Sequence, residues 1–205
     1  MTKQPEEGTI WEWRAFGRVD DDLAAKVRDH PPRLGIIDLR GEDVYLISPT
    51  SDQNVKLRRY SSGWVLKFKL LFETRPGAFA LYNESAEFTY QFPVPLATLQ
   101  DAARLLEVNL PDLELSPNLT DVEFVGALAR SSPAVKDTKV TKRRSQYQFG
   151  GGWLELADVE FTSRSVQSIS IHSPDLEVVR GILDRLKPGD QLEAMNYIEA
   201  CRRWG

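Results

Sequence analysis

The chain has few soft or metal-seeking side chains: one cysteine, Cys201, and two histidines, His30 and His172, among 205 residues. A lone thiol closes no intrachain disulfide and rules out a multi-cysteine zinc site, and two histidines are too few for a histidine-rich metal centre. No apolar run approaches the roughly 18 residues of a membrane span, and the opening MTKQPEEG lacks the hydrophobic stretch of a secretory leader. No membrane partner and a reducing cytoplasm are therefore expected. Excess positive charge is also missing. The net charge of -4 argues against nucleic acid as a partner bound by bulk charge and requires any anion site to be local. With 41% hydrophobic and 27% charged residues, the chain is long enough to bury a real core, and one domain over 1–205 is expected.

What the sequence does contain is alternation. In NVKLRRYSSGWVLKFK, residues 54–69, apolar residues alternate with Lys or Arg on both sides of a Ser-Ser-Gly turn signal. The pattern predicts a hairpin whose one face carries Lys56, Arg58, Lys67 and Lys69. TIWEWRAF sets Trp11 and Trp13 against Glu12 and Arg14. EFTYQFPV sets Phe88, Tyr90 and Phe92 against Glu87, Thr89 and Gln91. RLGIIDLR and DVYLISP read as two strands meeting at Gly41-Glu42. KVTKRRSQYQF and WLELADVEF read as a hairpin turned at Gly150-Gly151-Gly152, and SVQSISIHS as a further strand.

Helices are predicted after Asp20, over 96–108, from the Thr120/Glu123 capping-box pair, and over about 174–204 in two pieces, the last being QLEAMNYIEACRRW. No repeat or low-complexity segment is present. The strands outnumber the helices, which predicts an α+β architecture: an antiparallel barrel or strongly curved sheet with helices packed outside.

The strand faces carrying Arg14, Lys56, Arg58, Lys67, Lys69, Lys142 and Arg144 admit two readings. In a half-exposed sheet, cations face water and apolar residues face the core. In a closed sheet they converge, and like charges facing one another then need water or an anion. Carboxylates share these faces at Glu12, Glu87 and Glu155, which favours the second reading: cations for a polyanion, carboxylates for a divalent metal.

The order of these elements resembles the CYTH family, the triphosphate tunnel metalloenzymes, over most of the chain. The resemblance rests on the opening strand with Glu and a cation, the paired NVKLRR and WVLKFK, a Glu-bearing strand before the middle helix, and VTKRRSQYQF followed by WLELADVEF. It implies a tunnel of about eight antiparallel strands and a small phosphorylated substrate or ligand. It also implies phosphate contacts from Arg14, Lys56, Arg58, Lys67, Lys69, Lys142 and Arg144, and magnesium or manganese on Glu12, Glu87 and Glu155. A metal-dependent phosphohydrolase with a weakened metal site is the implied activity, and a catalytically inactive anion-binding module is the alternative. Two departures concern the metal. The family's opening Glu-x-Glu-x-Lys is Glu12-x-Arg14-x-Phe16 here, and its later Glu-x-Glu strand is Ser168-Ile169-Ser170.

Of the remaining residues, His172 reads as a surface or loop histidine and Cys201 as a packed small residue of the last helix. Lys142-Arg143-Arg144 is weak evidence for nucleic acid. The tryptophans are core material, with Trp11 and Trp13 candidates for closing one tunnel end.

Overall fold

The structure is a computed structural model that describes residues 8–33, 39–111 and 114–205. Strand β1 (Thr9–Gly17) leads to helix α1 (Asp21–Arg28), then β2 (Leu39–Ile47), β3 (Asn54–Tyr60), β4 (Gly63–Arg75) and β5 (Phe79–Asn83). Short strands β6 (Thr89–Gln91) and β7 (Val94–Pro95) precede α2 (Leu96–Leu105). After β8 (Asn118–Leu119) and α3 (Asp121–Ser131) come β9 (Lys136–Phe149), β10 (Gly152–Glu160) and β11 (Ser165–Ser173). Helix α4 (Leu176–Leu186), β12 (Leu192–Ala194) and α5 (Tyr197–Trp204) complete the chain.

Eight of these strands close on themselves. Antiparallel neighbours run β11-β10-β9-β2-β3-β4-β5-β1, and β1 returns to β11 with Glu12 opposite His172 and Arg14 opposite Ser170. Closure removes the sheet edges and gives every strand an inner and an outer face, so period-two sequence becomes period-two chemistry. On the outside, Trp11 and Trp13 of β1 pack with Leu23 and Val27 of α1 and with Val179, Ile182 and Leu186 of α4. Val55, Leu57, Leu66 and Phe68 pack beneath Leu99 and Ala102 of α2 and Phe124 and Leu128 of α3. Each apolar stripe thus binds a helix to the outer wall.

A third cluster lies within one end of the barrel. Phe16, Tyr45, Val140 and Val159 meet Tyr197, Cys201 and Trp204 of α5, with Tyr197 stacked on Tyr45 at 5.5 Å. Helix α5 therefore closes that end, and Trp11 and Trp13, expected there, point outward instead. Arg202 fixes the closure through Ser48 O at 2.9 Å, Ser51 O at 2.6 Å and Asp52 at 2.6 Å.

Several local expectations change. No turn forms at Gly41-Glu42: β2 runs straight through, pairing Gly41 with Lys142 and Glu42 with Thr141, because the barrel needs one long strand there. Of the strand expected over RLGIIDLR, residues 34–38 lie outside the described residues. The last helix begins only at Tyr197, where Asn196 and Glu199 form a capping box; Leu192–Ala194 ahead of it pair with β1 instead. The capping box expected at Thr120 and Glu123 is formed. The β9–β10 hairpin turns at Gly150 and Gly151, whose φ values of +40° and +84° suit a turn that side chains would strain.

Candidate functional site

Alternation along the barrel strands gathers charge in its interior. Glu12 and Arg14 enter from β1, Lys56 and Arg58 from β3, Lys67 and Lys69 from β4, Lys142 and Arg144 from β9, and Glu155 from β10. They line a space of about 140 Å³, together with Arg33, Glu84, Trp153 and His172. All seven sequence-predicted cations are thus together. So are Glu12 and Glu155.

Glu87 is not among them, which corrects its assignment to the same face. EFTYQFPV does not form one strand: Ala86–Phe88 makes a single 3-10 turn before β6, and Glu87 accepts a hydrogen bond from Ser85 at 3.0 Å outside the tunnel. Ser85 and Asn83 hydrogen-bond locally in the same segment, an arrangement that competes with regular strand pairing.

Two charge clusters organise the interior. In the first, Arg14 donates to Glu12 at 2.7 Å, to Ser168 at 3.0 Å and to Glu155 at 3.4 Å, while Lys69 bridges Glu12 and Glu84 at 2.5 Å each. Arg144 and Gln146 reach the other oxygen of Glu155 at 3.3 and 2.9 Å. Burial alone would raise the carboxyl groups of Glu12 and Glu155, yet Arg14 and its neighbours hold both well below the usual range. Both are ionised.

The second cluster rests on Asp43, a residue that the misplaced turn concealed. Arg58 grips it with two hydrogen bonds of 2.7 and 2.9 Å, Lys142 donates to it at 2.8 Å, and Lys56 stands 3.8 Å away. One carboxylate therefore serves three cations. Burial pushes the Lys142 ammonium down to about 8 against the pull of Asp43, and pushes Lys56 well below its ordinary value. Asp43 is held low by the same lysines against its own burial.

His172, expected on a surface or loop, is buried on β11. It stacks on Trp153 at 5.0 Å, with Nε2 hydrogen-bonded to Ser170 at 2.9 Å. Its Nδ1 lies 3.5 Å from Glu12 and has no hydrogen-bond partner among the described residues. Burial lowers it to about 4, so it is neutral near pH 7. The signal was present in the sequence: Ser168, Ser170 and His172 alternate with Ile169 and Ile171. Glu84 gave no such signal, since FALYN ahead of it is apolar on both faces.

Among the described residues, the interior holds eight cationic side chains against the carboxylates of Glu12, Asp43, Glu84 and Glu155. A chain that is acidic overall has concentrated positive charge in one enclosed place. Lys67 faces Lys56 directly across the β3–β4 pair and makes no ion pair among the described residues.

The donor set does not suit a divalent metal. Glu12 and Glu155 already bind cations through both oxygens, β11 supplies serines and a histidine, and no group of three His, Cys, Asp or Glu is placed to hold a metal ion among the described residues.

A closed antiparallel barrel with a cationic interior and helices outside defines a tunnel protein, and solved structures share this fold. A candidate adenylate cyclase of Bacillus halodurans is similar over 94% of this chain and 98% of its own, with a TM-score of 0.51 at 15% identity. A candidate adenylyl cyclase of Hippeastrum, described as having a dominant triphosphatase activity, is similar over 95% of both chains, with a TM-score of 0.53 at 12% identity. No family model and no curated protein matches. The chain shares the closed eight-stranded antiparallel barrel fold of these structures. No helix of the described residues is long and apolar enough to cross a membrane.

Proposed function

We propose that the tunnel binds a small organic or inorganic polyanion carrying a run of phosphoryl groups, a triphosphate being the simplest. One observation carries this reading: Lys56 and Lys142, both buried, and the half-buried Arg58 share the single charge of Asp43. Buried charges are tolerated only when compensated, and the uncompensated remainder here is positive on opposing walls. Phosphate oxygens supply the missing charge, and arginines bind them in paired geometry. The space of about 140 Å³ is walled mainly by charged side chains, which suits a phosphate chain. Any organic head group stays at the rim, near Arg33 and Trp153.

The chain, 1–205, is read as one unit acting as an anion-binding module. A phosphorylated small ligand and the buried thiol of Cys201 suit a reducing cytoplasm. The magnesium or manganese implied by the family resemblance finds no matching donor set, and the reading gives the metal no step. A second reading, hydrolysis of the terminal phosphate, has the likeness to the Hippeastrum protein in its favour. It is tested by phosphate release from triphosphate and from nucleoside triphosphates.

The binding reading is tested at Lys67. Calorimetry with inorganic triphosphate should show Lys67→Ala weakening affinity about tenfold, roughly 1.4 kcal/mol. Its melting temperature should stay level or rise slightly, because a like-charged neighbour of Lys56 is removed. Undiminished affinity in both Lys67→Ala and Arg144→Ala would show that the ligand does not enter this space.

A further inference from the structure

The geometry points to a tunnel that takes its polyanion without a divalent cation, with the Arg14 guanidinium standing between the carboxylates that would otherwise hold a metal. This rests on the polyphosphate reading and adds how the charge at the tunnel floor is balanced. Arg14 is 5% exposed and is fixed from four sides. Its Nε donates to Glu12 at 2.7 Å, Nη1 donates to Ser168 at 3.0 Å, and Nη1 and Nη2 both reach Glu155 Oε1 at 3.4 Å. Its Cζ lies 4.5 Å from the centre of the Tyr197 ring.

A guanidinium does not lose its proton in a protein, so Arg14 is a permanent charge. Burial opposes that charge, yet Glu12 and Glu155 favour it so strongly that Arg14 is held well above even its usual range. A metal ion binding the same two carboxylates would have to displace this cation or sit beside it in a poorly solvated space. The first leaves a buried arginine unpaired; the second sets like charges together where screening is weak. The other oxygens offer no route around Arg14. Glu12 Oε2 receives Lys69 at 2.5 Å, and Glu155 Oε2 receives Gln146 at 2.9 Å.

Magnesium orients phosphates by presenting charge at a fixed point. Arg14 presents one charge at a fixed point, held there by Glu12, Ser168 and Glu155. The sequence departures involve the same residues: the opening motif reads Glu12-x-Arg14-x-Phe16 after Ile10, so one carboxylate of the family's pattern is shifted or lost, and Ser168 and Ser170 stand where the later strand has two glutamates. The cation replaces the metal, and the serines accept its hydrogen bonds or leave it room.

Calorimetry on the full chain with inorganic triphosphate, in excess EDTA and again in excess magnesium chloride, decides the matter. Affinity in EDTA should equal or exceed that in magnesium, because magnesium already neutralises part of the ligand. Binding in magnesium that falls tenfold or more in EDTA would overturn the metal-free inference and leave the polyphosphate reading intact. No binding in either medium would overturn both. Two further measurements bear on the inference alone. Manganese chloride without ligand should leave the wild-type melting temperature unchanged, and a rise would contradict it. Glu155→Gln should bind triphosphate in EDTA at least as tightly as wild type, since it removes a negative charge from the tunnel. If Glu155 were a metal ligand the variant would bind more weakly in magnesium.

Discussion

Asp43→Asn is expected to lower the free energy of unfolding by about 3–5 kcal/mol, the usual penalty for removing one partner from a buried ionic cluster. The carboxylate is 1% exposed and touches Arg58 and Lys142, with Lys56 close by. Asparagine keeps the shape and loses the charge, leaving Arg58 and Lys142 without their counter-charge in a confined space. Urea unfolding monitored through the tryptophans measures the loss. The same experiment tests function, because a polyanion in the tunnel can stand in for the missing carboxylate. Triphosphate at 1,000 times its dissociation constant contributes about 4 kcal/mol through binding linkage and should restore most of the stability. A loss below about 1 kcal/mol, the range of an exposed ion pair, would mean that water screens these cations and that the interior is not under electrostatic stress.

The second large effect is on pH dependence. Burial puts the Lys142 ammonium at about 8 in the ligand-free protein, and a bound polyanion raises it. Below pH 8 the lysine is protonated with or without ligand, and affinity is insensitive to it. Above pH 8 the free protein has lost the proton and must recover it on binding, so affinity for triphosphate should fall about tenfold per pH unit. Stability of the ligand-free protein moves oppositely. Between pH 8 and the ordinary lysine range the unfolded chain binds more protons than the folded one, so this group's contribution to stability rises with pH. Lys56, lowered by burial as well, adds in the same direction. Calorimetry from pH 7 to 10, beside thermal melts without ligand, should give slopes of opposite sign. Lys142→Met should flatten both. Affinity independent of pH across that range would remove Lys142 from the binding surface.

The barrel walls were legible because their chemistry has the period of a strand. Lys56 and Arg58, Lys67 and Lys69, and Lys142 and Arg144 each repeat at two-residue spacing, and closure turns each repeat inward. The α+β fold followed from the same signal together with the helix caps. Asp43 was missed because the turn read at Gly41-Glu42 left it as the first residue of a short strand, whereas pairing with β9 on one side and β3 on the other carries β2 through it without a break. β5 was missed because both its faces are apolar or buried, and Glu84 was lost with it. Glu87 was misplaced because alternation suggested a strand where Ser85 and Asn83 satisfy the backbone locally. His172 had the right period for the interior, but its position next to Ser173-Pro174 suggested a loop. The pairing of Arg14 with two carboxylates from different strands is a property of closure, which no single stretch of sequence displays.

Helix α5 makes the barrel a socket with a floor instead of a corridor. With Tyr197 and Trp204 filling one end, a guest enters and departs by the same door and travels end-on. Its leading phosphoryl group must then be a free terminus. On the polyphosphate reading, a chain blocked at both ends by bulky esters would stop short of Arg14, whereas one with a bare end would descend to it.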